Sequence, residues 1–237
     1  MRNVIELRQV TKDYGEGKGV FDLSFAVKEG EVFGYLGPNG AGKTTTIRQL
    51  MGFIRPQKGS CQIFGMDCFH QAAEIQKKNG YLAGELTFPE DMTGIQFLKF
   101  MADLKGMKKT ARMEELVERF ELDPRGKISK MSKGTKQKIG IVNAFMHQPR
   151  TIILDEPTSG LDPLMRNRFV KLILEEKKKG TTILLCSHIL EEVQKTCDRT
   201  AILRAGRLAA VEDLSEKRQN LEELFLHFYE IEGEEGK

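Results

Sequence analysis

The alternation of hydrophobic and polar residues predicts strands at both ends of the chain. Residues 4–7 and 21–27 form short strands, with apolar residues at alternate positions in the second, so we expect an antiparallel β layer at the start. Residues 32–36 form a buried strand. Residues 151–154 and 181–186 are continuously apolar, as parallel strands covered on both faces tend to be. The pattern predicts an α/β core with a mostly parallel sheet.

Helical spacing dominates the middle of the chain. Thr93 can cap a helix with Gln96 placed to reciprocate. Apolar residues then recur at i, i+3, i+4 and i+7 in two runs: Phe97, Phe100, Met101 and Leu104, followed by Met113, Leu116, Val117 and Phe120. We therefore predict an inserted α-helical subdomain at 85–147, with the α/β core formed by 1–84 and 148–237.

The last third of the chain continues the α/β pattern. Between the two continuously apolar strands, one helix face carries Met165, Phe169, Leu172 and Ile173, which completes a β-α-β unit. A strand pair at 200–203 and 207–211 turns at Gly206, and a final helix has an apolar side formed by Leu221, Leu224, Phe225 and Phe228. We expect the polar tail at 232–237 to fray.

Composition narrows the class of protein. With 237 residues, 40% hydrophobic and 30% charged, the sequence is typical of a soluble protein with one sizeable core. A net charge of +3 does not call for a nucleic-acid partner. The four cysteines show no Cys-x-x-Cys pair, so we expect reduced thiols. No stretch approaches the ~18 apolar residues of a membrane span and no leader is evident, so we expect neither membrane crossing nor export.

A glycine-rich loop directly follows the strand at 32–36. It matches the pattern Gly-x4-Gly-Lys-[Ser/Thr], which lets successive backbone N–H groups surround a phosphate at the start of a helix. The alternative, a glycine-rich turn with an exposed lysine, is much less common for such a match. We expect Lys43 to reach the β- and γ-phosphates and Thr44 to hold Mg²⁺. The predicted ATP-binding residues of this loop are Gly37, Pro38, Asn39, Gly40, Ala41, Gly42, Lys43, Thr44 and Thr45.

Two acidic residues end the strand at 151–154. Open α/β sheets bind ligands at the carboxyl ends of their strands, which is where Asp155 and Glu156 lie. Asp155 is suited to hold a metal through its water shell, and Glu156 to orient and deprotonate an attacking water. The two acids can instead begin an ordinary loop, but the phosphate loop upstream favours the catalytic interpretation.

These motifs, with four others in the same order, resemble the nucleotide-binding subunit of ATP-binding cassette (ABC) transporters over nearly the whole chain. The resemblance implies a P-loop NTPase core. It also implies that Tyr14 stacks on adenine, that residues 132–135 are a signature segment acting on ATP held by a second subunit, that residues 159–162 lie at the dimer interface, and that His188 contacts the γ-phosphate. The implied signature and interface residues are Ser132, Lys133, Gly134, Thr135, Ser159, Gly160, Leu161 and Asp162.

Each of these positions also has a purely structural interpretation. Tyr14 can be an edge tyrosine, and a lone histidine after a strand is usually structural. Ser132 suits the N-cap of any helix, and Asp162 before Pro163 suits an ordinary helix start. The order and number of the motifs favour the functional interpretation over these.

Two segments depart from the family pattern. Lys133 and Thr135 stand where the family has glycine and glutamine in its signature. Gly84 and Glu85 stand where the family usually has a glutamine that senses Mg²⁺. We hypothesise that Glu85 substitutes for that glutamine, because its side chain is the one at this point able to bind a metal or its water.

The resemblance implies an ATPase that uses ATP and Mg²⁺ and powers a membrane transporter. It implies a head-to-tail homodimer, transmembrane permease subunits on separate chains, no nucleic acid, and a peripheral position on the cytoplasmic side of the membrane. Residues 81–85, the signature and residues 221–225 are most similar to bacterial exporters. A soluble ABC-type ATPase and a weakly hydrolysing regulatory module remain alternatives, whereas a guanine-nucleotide switch lacks its Asn-Lys-x-Asp segment.

Overall fold

The computed structural model describes residues 2–214 and 221–230, which form two β-sheets and the helices around them. The polar tail at 232–237 lies outside the described residues. In chain order the strands are β1 (Asn3–Asp13), β2 (Gly19–Lys28), β3 (Val32–Leu36), β4 (Lys58–Ile63), β5 (Met66–Asp67), β6 (Asn79–Leu82), β7 (Thr151–Asp155), β8 (Thr182–Cys186), β9 (Arg199–Arg204) and β10 (Arg207–Asp213).

The strands divide into an antiparallel sheet and a mostly parallel one. The first has the order β2-β1-β4-β5, and the second has the order β10-β9-β3-β8-β7-β6. Strand β3 pairs in parallel with both β8 and β9, and β7 pairs in parallel with β6 and β8. Only β10 runs antiparallel to its neighbour in this sheet. The carboxyl ends of β3, β7 and β8 therefore lie at one edge, which is where the candidate site is built.

Eight α-helices belong to the described part of the chain, together with a 3₁₀ helix at Ile128–Lys130. The α-helices are α1 (Lys43–Leu50), α2 (Ala72–Gln76), α3 (Gly94–Leu104), α4 (Ala111–Arg119), α5 (Lys133–Phe145), α6 (Pro163–Lys178), α7 (Leu190–Thr196) and α8 (Leu221–Glu230). The N-cap of α3 is the predicted capping box, in which Thr93 and Gln96 each accept from the other's backbone N–H.

The predicted end of the first strand is wrong by several residues. Strand β1 continues past residue 7 to Asp13, and register shifts interrupt its pairing with β2 along this stretch, where Gln9 has φ 50°. Helix α1 ends at Leu50, because Gly52 with φ 75° lies in a left-handed conformation that ends helices.

The apolar face of α3 also differs from the prediction. Leu98 and Ala102 are its buried apolar side chains, while Phe100 and Leu104 are 46% and 65% exposed. The i, i+3, i+4 spacing identified a helix correctly, but a short helix with apolar residues on most sides leaves the buried side undetermined. The faces predicted for α4 and α6 are better placed: Met113, Leu116, Phe120, Met165, Phe169, Leu172 and Ile173 are all buried.

The core lies on both faces of the parallel sheet. One cluster joins the antiparallel sheet to one face and includes Tyr35 and Phe33, while the other joins the opposite face to α3–α6 and includes Phe145 and Phe169. The four cysteines are buried free thiols. The division into a core and a subdomain at 85–147 stays a prediction, because the second cluster is continuous from those helices to the sheet.

Candidate active site

The loop between β3 and α1 has a backbone that requires glycine. Gly40 and Gly42 have φ of 83° and 106°, a conformation that side chains rarely adopt. A Cβ atom on Gly42 would also lie 2.6 Å from Cγ1 of Val20. The loop therefore wraps closely at the start of α1, where backbone N–H groups and the helix dipole favour an anion.

Lys43 is buried beneath this loop. Its side chain is 7% exposed, and its Nζ donates to the carbonyl oxygens of Gly37, at 2.6 Å, and Pro38, at 3.1 Å. The same Nζ lies 3.8 Å from Oε1 of Glu156. The ammonium group is thus held in the loop where a bound phosphate would meet it.

Thr44 and Asp155 bring two hard oxygen ligands together. Thr44 Oγ1 donates to Asp155 Oδ2 at 3.2 Å, and Asp155 is only 2% exposed. Burial raises the pKa of the Asp155 carboxyl, although hydrogen bonds from Cys186 and Thr44 act the other way. A hydroxyl and a carboxylate suit Mg²⁺, which prefers oxygen ligands and retains several waters.

The main chain before Glu85 passes directly beside this pair. A Cβ atom on Gly84 would lie 3.2 Å from Oδ2 of Asp155, so glycine leaves open space next to the carboxylate. Glu85 follows and is exposed. The structure thus places residues 84–85 next to the candidate metal ligands, and the role of Glu85 stays a prediction.

Glu156 occupies a strained turn after β7. Its φ is 48°, which is unfavourable for a residue other than glycine, and its N–H donates to the carbonyl of Cys186 at 2.9 Å. Oε2 lies 2.5 Å from Nδ1 of His188, and Oε1 has no hydrogen-bond partner among the described residues. One carboxylate oxygen is therefore oriented by the histidine, and the other is available to accept a proton.

The side chains of Lys43, Thr44, Asp155 and Glu156 meet in one cleft of about 360 Å³. Tyr14, which is 55% exposed, lines the same cleft as the two acids, and its ring is available to stack. The lining residues are Tyr14, Lys18, Gly19, Pro38, Asn39, Gly40, Gly42, Lys43, Thr44, Thr45, Asp155 and Glu156.

The segment 132–135 does not line this cleft. Ser132 caps α5, where its Oγ accepts from the N–H of Thr135 at 3.1 Å. The aliphatic part of Lys133 packs near Gly160, and a Cβ atom on Gly134 would lie 2.7 Å from the Gly160 carbonyl oxygen. Within one protomer the segment therefore contacts Gly160 and does not line the cleft at the phosphate loop.

Residues 159–162 lead into α6. Asp162 is its N-cap, with Oδ1 accepting from the N–H of Met165 at 2.9 Å, and this hydrogen bond lowers the pKa of the Asp162 carboxyl. Leu161 is 5% exposed, and its carbonyl accepts from Arg166. The predicted role of Ser159, Gly160, Leu161 and Asp162 at an interface between copies stays a prediction.

Two buried polar residues next to the site escape sequence reasoning. Gln137 on α5 donates to the main chain of the turn at 156–157, and Glu192 on α7 accepts from Thr158 Oγ1 at 2.9 Å. Burial raises the pKa of Glu192. Helical position alone gives no signal for either, because most Gln and Glu side chains on helices face solvent.

Comparison with known proteins agrees with this geometry. The family model described as ABC transporter matches residues 20–159. The bacitracin transport ATP-binding protein BcrA of Bacillus licheniformis is 38% identical over 88% of this chain and 69% of its own length. The ABC transporter ATP-binding protein YhcH of Bacillus subtilis (strain 168) is 37% identical over 98% of this chain and 76% of its own length.

Solved structures show the same fold. An ATP-binding subunit of an ABC transporter superimposes with a TM-score of 0.86 and 30% identity, covering 95% of this chain and 99% of that one. A dimeric bacterial ABC transporter cassette, MJ0796, gives a TM-score of 0.80 at 22% identity over 89% of this chain and 98% of that one, which shows the fold alone.

The fold and the cleft define an ATP-binding cassette of the P-loop α/β class. The chain belongs to the ABC transporter family, as an ATP-binding subunit that hydrolyses ATP. The resemblance predicted from the motifs is therefore confirmed, as is the fold class. No helix within residues 2–214 and 221–230 has both the length and the apolar character to cross a bilayer.

Proposed function

We propose that the chain hydrolyses ATP in the cleft beside Glu156 to drive a membrane exporter. Lys43 binds the β- and γ-phosphates, and the Glu156 carboxylate takes a proton from the attacking water. His188 orients that carboxylate and contacts the γ-phosphate from its exposed face. Thr44 and Asp155 would hold Mg²⁺, which would supply positive charge beside the phosphates. The observation that carries this proposal is the position of Glu156, with one oxygen on His188 and the other 3.8 Å from Lys43 Nζ but without a hydrogen-bond partner among the described residues.

Pairing of two copies completes the site in this proposal. Ser132 and Gly134 lie outside their own protomer's cleft and at the start of α5, where N–H groups favour an anion. A head-to-tail dimer about a two-fold axis brings this helix start to the phosphate of the second copy. The cassette MJ0796 is dimeric, which supports this arrangement.

Exporter function with separate permease subunits is the subclass that we propose. BcrA is named for bacitracin transport, and the features at 81–85, 132–135 and 221–225 point the same way. The membrane-spanning partners would hold the chain at the cytoplasmic face of the membrane as a peripheral subunit.

An exposed apolar surface is the proposed contact for those partners. Phe53, just after α1, is 59% exposed, and Phe100 and Leu104 on α3 are exposed as well. The elements that carry them meet, because Lys105 donates to the Gln76 carbonyl at 2.5 Å and Gln76 donates to the Met51 carbonyl at 3.3 Å. Gel filtration or sedimentation with membranes should show that Leu104→Ser weakens association with membrane subunits while ATP turnover by the free chain is retained.

The central test combines turnover with association. Glu156→Gln should reduce steady-state phosphate release by about 10³-fold, within the range for loss of a general base. In Mg-ATP the same variant should elute as a dimer in gel filtration, and ADP should not support that dimer. Glu118→Gln on the exposed side of α4 is the matched control and should behave as the parent.

Undiminished phosphate release by Glu156→Gln would contradict the catalytic assignment. A parent protein with no measurable turnover would instead support a regulatory module. Copurification with ribosomes rather than membrane proteins would support a soluble ABC-type ATPase.

A further inference from the structure

Gln137 is buried within the helix that follows the signature segment. It lies on α5, about one and a half turns after Ser132, and is 2% exposed. A buried side-chain amide is costly unless it is hydrogen-bonded, so its partners show what it does. Those partners lie on another element, in the turn that carries the catalytic carboxylate.

The amide holds the main chain on the carboxyl side of Glu156. Gln137 Nε2 donates to the carbonyl of Pro157 at 2.8 Å and to that of Glu156 at 3.3 Å. The Glu156 carbonyl also accepts from the N–H of Ser159 at 3.2 Å. On the amino side of Glu156, the N–H donates to Cys186. The strained residue is therefore held between a strand of the sheet and a helix outside it.

The strain explains why such a contact matters. A non-glycine residue with φ near 48° is disfavoured and persists only when its surroundings hold it. Pro157 has no N–H to add to the turn's own hydrogen bonds. Without an external donor, we expect the turn to relax and to shift the Glu156 side chain relative to His188 and Lys43.

We propose that Gln137 is a positioning residue, which transmits the position of α5 to the Glu156 carboxylate of the same protomer. This inference rests on the proposed function, in which Glu156 activates water and the start of α5 meets ATP held by a second copy. A shift of α5 on that contact moves Gln137, and with it the Glu156–Pro157 peptide. Nucleotide bound at one site thereby changes the position of Glu156 at the other site.

The test replaces the donor and keeps the volume. Gln137→Met should lower kcat by about 10–100-fold, because a misplacement of about 1 Å can cost this much. The KM for ATP should stay within about two-fold, since Gln137 does not line the cleft. Gln137→Lys returns a donor and should recover most of the loss, as Lys105 already donates to two backbone carbonyls in this chain.

Asn79→Leu is the matched control for losing a buried amide. Asn79 is fully buried at the start of β6, at the other end of the sheet, and its variant should lose thermal stability without a change in kcat per folded molecule. If Gln137→Met melts below the assay temperature, Gln137→Glu and Gln137→Lys give the same comparison, because they differ in whether they donate.

Glu156→Gln is assayed in parallel to separate the two proposals. Gln137→Met and Gln137→Glu with kcat within two-fold of the parent, while Glu156→Gln loses turnover, would overturn the inference and leave the proposed function standing. Undiminished turnover in Glu156→Gln would overturn both. In the Glu156→Gln background, Gln137→Met should cause no further loss, since it acts through the missing carboxylate.

Discussion

Buried carboxylates are hydrogen-bonded differently at the two ends of the parallel sheet. At the amino end, the Glu176 carboxylate accepts from Arg112, Lys179 and Thr181 at 2.7, 2.8 and 3.3 Å. At the carboxyl end, burial raises the pKa of Asp155, and Glu156 keeps an oxygen without a hydrogen-bond partner among the described residues. The carboxylate at the amino end is hydrogen-bonded through both oxygens, although Nε of its partner Arg112 has no hydrogen-bond partner among the described residues, whereas the Glu156 carboxylate keeps one oxygen for something to bind.

This difference separates charges that maintain the fold from charges that act on a ligand. Burying an ion is costly, and full pairing offsets that cost within the protein itself. Incomplete pairing lowers the stability of the ligand-free protein, and proteins commonly retain it at functional sites. The comparison predicts that substitutions at the two ends will affect different measurements.

The largest expected effect on ATP binding comes from Lys43. Lys43 and Lys105 each donate to two backbone carbonyls, at opposite ends of the sheet. Lys43→Met should weaken ATP binding about 100-fold, which corresponds to the ~3 kcal/mol of strong charged hydrogen bonds. Lys105→Met should leave ATP affinity unchanged in the same fluorescence titration. Equal losses in both variants would remove the distinction between the two ends.

Glu176→Gln should affect stability instead of turnover. Removing its charge leaves Arg112, whose side chain is 11% exposed, without its buried partner, at a cost of about 3 kcal/mol. For a chain of this size the melting temperature should fall by roughly 6–12 °C. Below that temperature kcat should equal that of the parent, so a proportional loss of turnover would contradict the comparison.

Asp155→Asn should stabilise the ligand-free protein while it abolishes hydrolysis. Because burial raises the Asp155 pKa, the native state binds its proton more tightly than the unfolded state does. The free energy of unfolding therefore falls as pH rises above the ordinary aspartate pKa, because Asp155 must ionise while buried. The loss is complete once the pH exceeds the raised pKa of the native state. Thermal melts should show the gain of Asp155→Asn at neutral pH and its disappearance in strong acid.

Asp162→Asn is the control for this substitution, and its expected effect on the melting temperature is opposite. The Met165 N–H lowers the pKa of Asp162, so its charged form stabilises the native state at neutral pH. Asp162→Asn should therefore lower the melting temperature, and the difference from the parent should vanish as pH falls through the lowered pKa. A loss of stability in both variants would show that burial of the charged Asp155 carboxylate does not destabilise the ligand-free protein.

The smallest expected effect is that of Glu85. It follows Gly84 beside the Asp155 carboxylate but is exposed, so its interaction with a metal or its water is screened. Glu85→Ala should raise the Mg²⁺ concentration needed for half-maximal ATPase rate by about five-fold, equivalent to ~1 kcal/mol. Glu90→Ala, also exposed, is the control. Unchanged rate and Mg²⁺ dependence in Glu85→Ala would end the hypothesis of a substitute ligand.

The sequence was most informative where a backbone conformation or a chemical group allows few alternatives. The phosphate loop, the acids after β7 and the Thr93 capping box were all predicted, because glycine spacing and polar caps depend on local geometry. The prediction of the buried side of α3 was wrong, since tertiary packing buries Leu98 and leaves Phe100 exposed. Gln137 could not be predicted, because its partners are backbone carbonyls about twenty residues away in sequence.

The left-handed backbone at Glu156 affects how a mutation at this position would behave in a cell. Glycine adopts this conformation without strain, so Glu156→Gly would remove a penalty of about 1–3 kcal/mol for a smaller entropic cost, and the product should fold at least as well as its parent. A cell carrying both alleles would accumulate long-lived inactive copies. If copies act in pairs, such a mutation would be dominant, because most assemblies would contain a defective member.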